Sequence, residues 1–190
     1  MTQKIFAFYS PYPGAGKTTA AQYIQKTRPE FMAISFADTL RDIVEAVFYK
    51  ARHDDAAKYT EKDCPRLELG GHSFRDFLLA FGAAGRSLHP NIWVECLKAD
   101  MESYIQNVYG IEGVVIDDLR FPNEYAMLRS EGAKIVRIIN PDREIIPSET
   151  EALLEGCAFD AQLINDPAQG IEQYHAQLDA LMVTLWPNER

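Results

Sequence analysis

Residues 10–19 read Ser-Pro-Tyr-Pro-Gly-Ala-Gly-Lys-Thr-Thr, and the residue types in that run suit one kind of ligand, a polyphosphate. Such an anion needs several backbone N–H groups converging on it, and bulky side chains would block the approach. Gly14, Ala15 and Gly16 leave the backbone open, and a helix starting at Lys17 would add a favourable dipole at its N-terminus. Lys17 can reach the β- and γ-phosphates, the Thr18 hydroxyl can ligate Mg²⁺, and Thr19 completes the run. The spacing follows G-x-x-x-x-G-K-[ST] with Pro11 in place of the opening glycine. Proline fixes φ and lacks an N–H, but that first position mainly shapes the turn. The run reads as a site for ATP and Mg²⁺.

A second cluster follows the apolar run Val114-Val115-Ile116. Asp117 and Asp118 come directly after it, where open α/β sheets place ligand-binding residues. A carboxylate of Asp118 could hold the Mg²⁺ hydration shell beside Thr18. Arg120 stands two residues further on, and Arg75, Arg86, Arg137 and Arg143 are further candidates for anionic groups. Phosphoryl transfer would explain such a set, because donor and acceptor are both anions whose repulsion must be offset while they are held in line. A monophosphate acceptor has a second pKa of about 6 and needs no general base. His53, His72, His89 and His175 fall in no catalytic pattern and read as surface or core residues.

These residues need a scaffold, and the apolar patterning supplies one. Short apolar runs alternate with helical periodicity, the signature of an α/β fold with a mostly parallel sheet. Five strands are expected: Ile5 to Tyr9, Phe31 to Ser35, Val114 to Ile116, Ile135 to Ile139 and Ala161 to Ile164. Helices are expected from Lys17 to Lys26, after a cap at Asp38, after a cap at Ser73, from about Pro90 to Gln106, from Pro122 to Gly132, and over the last twenty or so residues. Ser148 and Glu151 have the spacing of a capping box before a short helix ending at Gly156.

The chain of 190 residues fits a single domain. Residues 50–72, highly charged with Gly70-Gly71 at the end, read as a surface insertion or substrate cover. The net charge of −9 argues against duplex nucleic acid as a partner, and no apolar run approaches the roughly 20 residues of a membrane span. Eleven of nineteen basic residues are arginine, which suits bidentate phosphate contacts. Three widely spaced cysteines, Cys64, Cys96 and Cys157, form neither a disulfide framework nor a zinc pattern. With no signal-peptide pattern at the N-terminus, the expected compartment is the cytoplasm.

At this point the chain resembles the phage-type deoxynucleoside monophosphate kinases, a branch of the P-loop nucleotide kinases. Beyond the glycine loop, Phe36-Ala37-Asp38-Thr39-Leu40-Arg41 is similar to a Phe-Ala-Asp-Pro-Leu-Lys segment of that family. Residues 77–93 resemble its arginine-bearing block, and Val114 to Glu124, with Asp118, Arg120 and Pro122, is the closest match. Pro147-Ser148-Glu149-Thr150 and Leu163-Ile164-Asn165-Asp166 resemble two late motifs, with Ile146 where a histidine is frequent and Pro167 where a glycine is usual.

The resemblance implies a five-stranded nucleotide-kinase fold and roles by position. Phe36, Asp38, Arg75, Arg86, Trp93 and Glu149 would serve the monophosphate acceptor. Lys17, Asp118 and Arg120 would face the phosphates, Arg143 would come from a lid-like segment at about 140–158, and Asn165 would sit near the donor base. The implied substrates are ATP and a deoxynucleoside monophosphate, in a protein of the cytoplasm (a host's, if phage-encoded), with a homodimer as the expected assembly. Two other readings fit parts of the pattern: a P-loop kinase for another small acceptor, such as a nucleoside or coenzyme precursor, and a nucleotide-binding switch without an acceptor.

Overall fold

The computed structural model describes residues 4–50, 63–65, 69–143 and 153–186. Five strands form one sheet: β1 (Lys4–Tyr9), β2 (Phe31–Ile34), β3 (Gly113–Ile116), β4 (Lys134–Ile139) and β5 (Ala161–Ile164). Their order is β2-β3-β1-β4-β5, and all four pairings are parallel. The helices are α1 (Lys17–Thr27), α2 (Asp38–Lys50), α3 (Phe74–Leu88), α4 (Ile92–Asn107), α5 (Pro122–Ser130) and α6 (Gly170–Leu185), with one 3-10 turn at Pro167–Gln169. This is the α/β architecture that the sequence led us to expect, a parallel five-stranded sheet flanked by helices.

The chain forms two compact units, one of residues 1–35 and 99–190 and one of residues 36–98, with the boundary inside α4. The sheet belongs to the first. Its central strands are near-continuous apolar runs because both faces are covered: β1 reads Lys-Ile-Phe-Ala-Phe-Tyr, buried from Ile5 onward, and β3 is buried throughout. Alternation divides the strand between two faces. Phe6 and Phe8 join Val115, Val136, Ile138 and Leu163 beneath Ala20, Ala21 and Ile24 of α1 and Tyr174, Leu178 and Met182 of α6. Tyr9, by the same alternation, points to the other face and stacks on Phe159 with ring centroids 5.3 Å apart.

Position on this sheet decides where a ligand can bind. The chain leaves β1 for the β2 edge and later returns past β1 to β4, so connections diverge at the carboxyl end of β1. That divergence is where open α/β sheets leave a crevice. Each strand is followed at that end by a polar residue: Ser35, Asp117, Ser10, Asn140 and Asn165 after β2, β3, β1, β4 and β5 respectively. Ser10, Ser35 and Asn140 are buried there.

The second unit is helical among its described residues. Leu40, Val44 and Phe48 of α2 pack with Phe74 and Trp93 in a core of their own. The Ser73 hydroxyl accepts from the Asp76 N–H at 3.2 Å while the Asp76 carboxylate accepts from the Ser73 N–H at 2.8 Å. These reciprocal bonds satisfy donors that the first turn of α3 would leave open. The expected cap at Asp38 differs by one position: Asp38 is itself the first residue of α2, and the Ala37 carbonyl accepts the Arg41 N–H at 2.8 Å. Its carboxylate lies in the first turn, where it accepts from Arg41 Nη1 at 2.5 Å. Similarly, α4 starts at Ile92 rather than Pro90.

Most of the expected cover at 50–72, and the expected capping box at Ser148 and Glu151, lie outside the described residues. Residues 153–156 form a turn, closed by the Cys157 N–H donating to the Leu154 carbonyl at 2.9 Å. No helix among the described residues is long and apolar enough to cross a membrane. All three cysteines carry free thiols.

Candidate functional site

The run from Ser10 to Thr19 is the connection between β1 and α1, so the strand–loop–helix context that its chemistry requires is present. Gly14 and Gly16 have φ of 68° and 101°, a region that disfavours any residue with a Cβ. Gly16 occupies the cap position of α1 and has no side chain to offer the helix N-terminus, and no acidic residue lies in the first turn. The N–H groups that open a helix therefore face outward without a carboxylate from their own turn, the arrangement that favours an anion. Pro11 is buried. The next N–H, that of Tyr12, donates to Ser10 Oγ at 3.2 Å, which folds the loop back over the end of β1. Lys17 Nζ donates to the Ser10 carbonyl at 3.4 Å, so the ammonium is drawn across the loop rather than out along the helix.

Two other strand ends reach this loop. Asn140 winds the exit of β4 into a tight turn: its Oδ1 accepts from the Asp142 N–H at 3.0 Å and its carbonyl from the Arg143 N–H at 3.2 Å. The turn delivers the exposed Arg143 guanidinium to the glycine loop, where Nη2 stands 3.7 Å from the position a Cβ on Gly14 would take. From β5, Asn165 Nδ2 donates to the Ala15 carbonyl at 2.8 Å. Thus the structure gathers Gly14, Ala15, Gly16, Lys17, Thr18, Thr19, Arg143 and Asn165, from three separate stretches of sequence, around one loop.

On the other side of β1, strand β3 ends in Asp117 and Asp118. Ser35 Oγ donates to Asp117 Oδ1 at 3.1 Å, tying the ends of β2 and β3 together. Arg120 lies in the turn before α5, and that turn is shaped by a residue the sequence did not single out. Buried Glu124, 4% exposed, accepts from the Arg120 N–H at 2.9 Å and the Phe121 N–H at 3.0 Å through one oxygen, Oε2. The signal was available: Glu124 stands two residues after Pro122, at the third helical position, from which a carboxylate can reach back to the cap.

Arg137, a candidate for anionic groups, is engaged within the protein. Its Nη2 donates to Glu155 Oε2 at 2.5 Å, while Tyr9 donates its hydroxyl to the other oxygen of Glu155 at 3.1 Å. Burial, and then the charge of Glu155, push the Tyr9 phenol well above its ordinary pKa, so it stays a donor. Of the histidines, His72 and His89 lie on the surface near Asp76 and Glu95, His175 stacks on Tyr23 at 3.9 Å, and His53 lies outside the described residues.

Within the second unit, Arg75 pairs with Asp63 and Asp38 with Arg41. The Trp93 indole N–H donates to the Gly82 carbonyl at 3.1 Å, and its ring fills the space beside Gly85, 2.5 Å from where a Cβ would be. The Arg86 guanidinium lies along the same helix, 3.5 Å from a Cβ placed on Gly82. Phe36 is buried. Glu149 lies outside the described residues.

The donors present fit Mg²⁺ in the company of phosphates. The exposed Thr18 hydroxyl and the Asp118 carboxylate, at the ends of neighbouring elements, are hard oxygen ligands. Mg²⁺ characteristically takes one or two of these and fills its octahedron with phosphate and water. Among the described residues, no group of three or more His, Cys, Asp or Glu could hold a metal by itself.

No family model matches the chain. It is similar to a protein of Acanthamoeba polyphaga mimivirus named "Putative deoxynucleotide monophosphate kinase", at 28% identity over 178 residues, spanning 87% of this chain and 89% of that protein. The similarity spans most of both chains, so it extends well beyond one short motif.

Proposed function

We propose that this protein is a P-loop deoxynucleoside monophosphate kinase, moving the γ-phosphoryl group of ATP onto a dNMP to give dNDP and ADP. The observation that carries the proposal is the loop at the head of α1: two left-handed glycines, an uncapped helix N-terminus and the Arg143 guanidinium beside Gly14. Such a loop serves a polyphosphate, and the name of the mimivirus relative supplies the reaction class. Mg²⁺, when bound, would neutralise charge between the β- and γ-phosphates.

In this reading the loop N–H groups hold the triphosphate, Lys17 spans its β- and γ-oxygens, and Thr18 and Asp118 serve the metal. Arg120 and Arg143 stabilise the charge that spreads over the transferring group, a task for fixed cations rather than for a base. Phe36, Asp38, Arg75, Arg86, Trp93 and Glu149 are assigned to the acceptor, and Asn165 to the donor side.

Incubation with ATP, Mg²⁺ and each monophosphate in turn, with ADP release as readout, tests the proposal. Rates that rise with deoxynucleotides above their ribonucleotide counterparts support it. Equal rates with both series defeat the deoxy assignment. Slow ATP hydrolysis that no monophosphate accelerates favours a nucleotide-binding switch.

A further inference from the structure

The glycine loop is held from behind at two successive carbonyls. Asn165 Nδ2 donates to the Ala15 carbonyl at 2.8 Å, and the Tyr174 hydroxyl donates to the Gly16 carbonyl at 3.1 Å. The two side chains meet at one spot: a Cβ on Gly16 would lie 2.5 Å from Asn165 Nδ2 and 3.3 Å from the Tyr174 oxygen. Both stand on fixed supports. The Asn165 N–H is bonded to the Ile139 carbonyl at 2.8 Å, continuing the β4–β5 ladder. Tyr174 is 1% exposed, with its ring in the core formed by α1, α6 and the sheet.

Peptide geometry turns this into a statement about the opposite side of the loop. In a planar trans peptide the C=O and the following N–H point in opposite directions. Fixing the Ala15 carbonyl toward Asn165 therefore aims the Gly16 N–H away from it, and fixing the Gly16 carbonyl aims the Lys17 N–H. The Gly16 carbonyl also accepts the Ala20 N–H at 2.9 Å as the first bond of α1, so Tyr174 occupies its second lone pair. The Ala15 carbonyl lies ahead of the helix, and Asn165 supplies the hold that no helical bond gives there.

We propose that Asn165 and Tyr174 are positioning residues for polyphosphate: they lock two carbonyls of the loop so that the Gly16 and Lys17 N–H groups stand ready toward the phosphates. This rests on the reading of the loop as a polyphosphate site, and it gives Tyr174 a role beyond packing. For Asn165 it substitutes a backbone bond for contact with the donor base. Burial pushes the Tyr174 phenol well above its usual pKa, so the donor persists across the working pH range.

The test compares Tyr174→Phe and Asn165→Ala with the parent protein, using ATP and inorganic tripolyphosphate as probes in calorimetric titration. Tyr23→Phe serves as a control, since it removes a phenol hydroxyl bonded to Asp179 elsewhere on α1. The loss of one such bond should weaken both probes about three- to tenfold in each test variant. KM for ATP should rise with KM for the monophosphate unchanged, and Tyr23→Phe should leave both affinities alone.

Unaltered affinity for both probes in Tyr174→Phe overturns the proposal. So does an Asn165→Ala variant that loses ATP but keeps tripolyphosphate, which would mean that Asn165 reads the base. A parent protein that binds both probes yet phosphorylates no monophosphate defeats the kinase reading, while the affinities still decide the bracing. One that binds neither probe defeats both.

Discussion

At the scale of single residues, the proposed function rests on backbone groups and a few cations. Lys17→Ala should abolish turnover and leave the melting temperature within a few degrees of the parent, because the partly exposed side chain packs no core. Wild-type rates in that variant would remove the loop from the chemistry. Arg120→Ala should lower kcat with little change in either KM if the guanidinium meets charge that develops only in the transition state. A rise in KM alone would make it a ground-state binder. These two positions were marked as candidates by residue type and spacing. Tyr174 and Glu124 were not. Tyr174 lies on the apolar stripe of α6 and looks like core, and it is core, except for the hydroxyl that reaches the Gly16 carbonyl. Its partner is a backbone atom 158 positions away, and side-chain patterns carry no mark of backbone carbonyls. Arg137 is bonded within the protein to Glu155, a partner in an irregular turn that periodicity does not place.

At the scale of elements, the five strands could be read because each is a short apolar run bounded by polar or turn residues, and burial on both faces leaves no other use for such runs. What could not be read was their order. That Asn165 of β5 reaches a loop following β1 depends on β4 lying between β1 and β5, a matter of long-range packing. Helix starts were legible where the capping chemistry is strong. Ser73 caps α3 as expected, and Asp76 completes the box. The bonds from the Ser73 N–H and hydroxyl hold the Asp76 carboxyl below its ordinary pKa. A group with a depressed folded pKa contributes its stability in full above the unfolded value and loses it as pH falls through the folded one. The destabilisation caused by Asp76→Asn should accordingly be present near neutral pH and shrink on acidification below about 4. Urea melts across that range check it, and a constant difference would contradict the assignment.

At the scale of the whole molecule, a net charge of −9 makes the protein a poor host for anions except at chosen points. In the proposed function the means to bind phosphate would lie in one place: an open helix N-terminus, Lys17 and Arg143 at the carboxyl edge of a parallel sheet. Chelation of Mg²⁺ should stop transfer and be reversed by adding the metal back, because the ion offsets charge that the protein alone does not. The division into a sheet unit and a helical unit is set by which residues pack together, and no low-complexity tract marks it in the sequence. The most direct measurement of the central claim follows the phosphorus atom itself, with ATP labelled at the γ-position, Mg²⁺ and a deoxynucleoside monophosphate. The account predicts label in the deoxynucleoside diphosphate, with ADP formed in equal amount, and none of this in Lys17→Ala. Label appearing only as inorganic phosphate, at a rate indifferent to the acceptor, would contradict it.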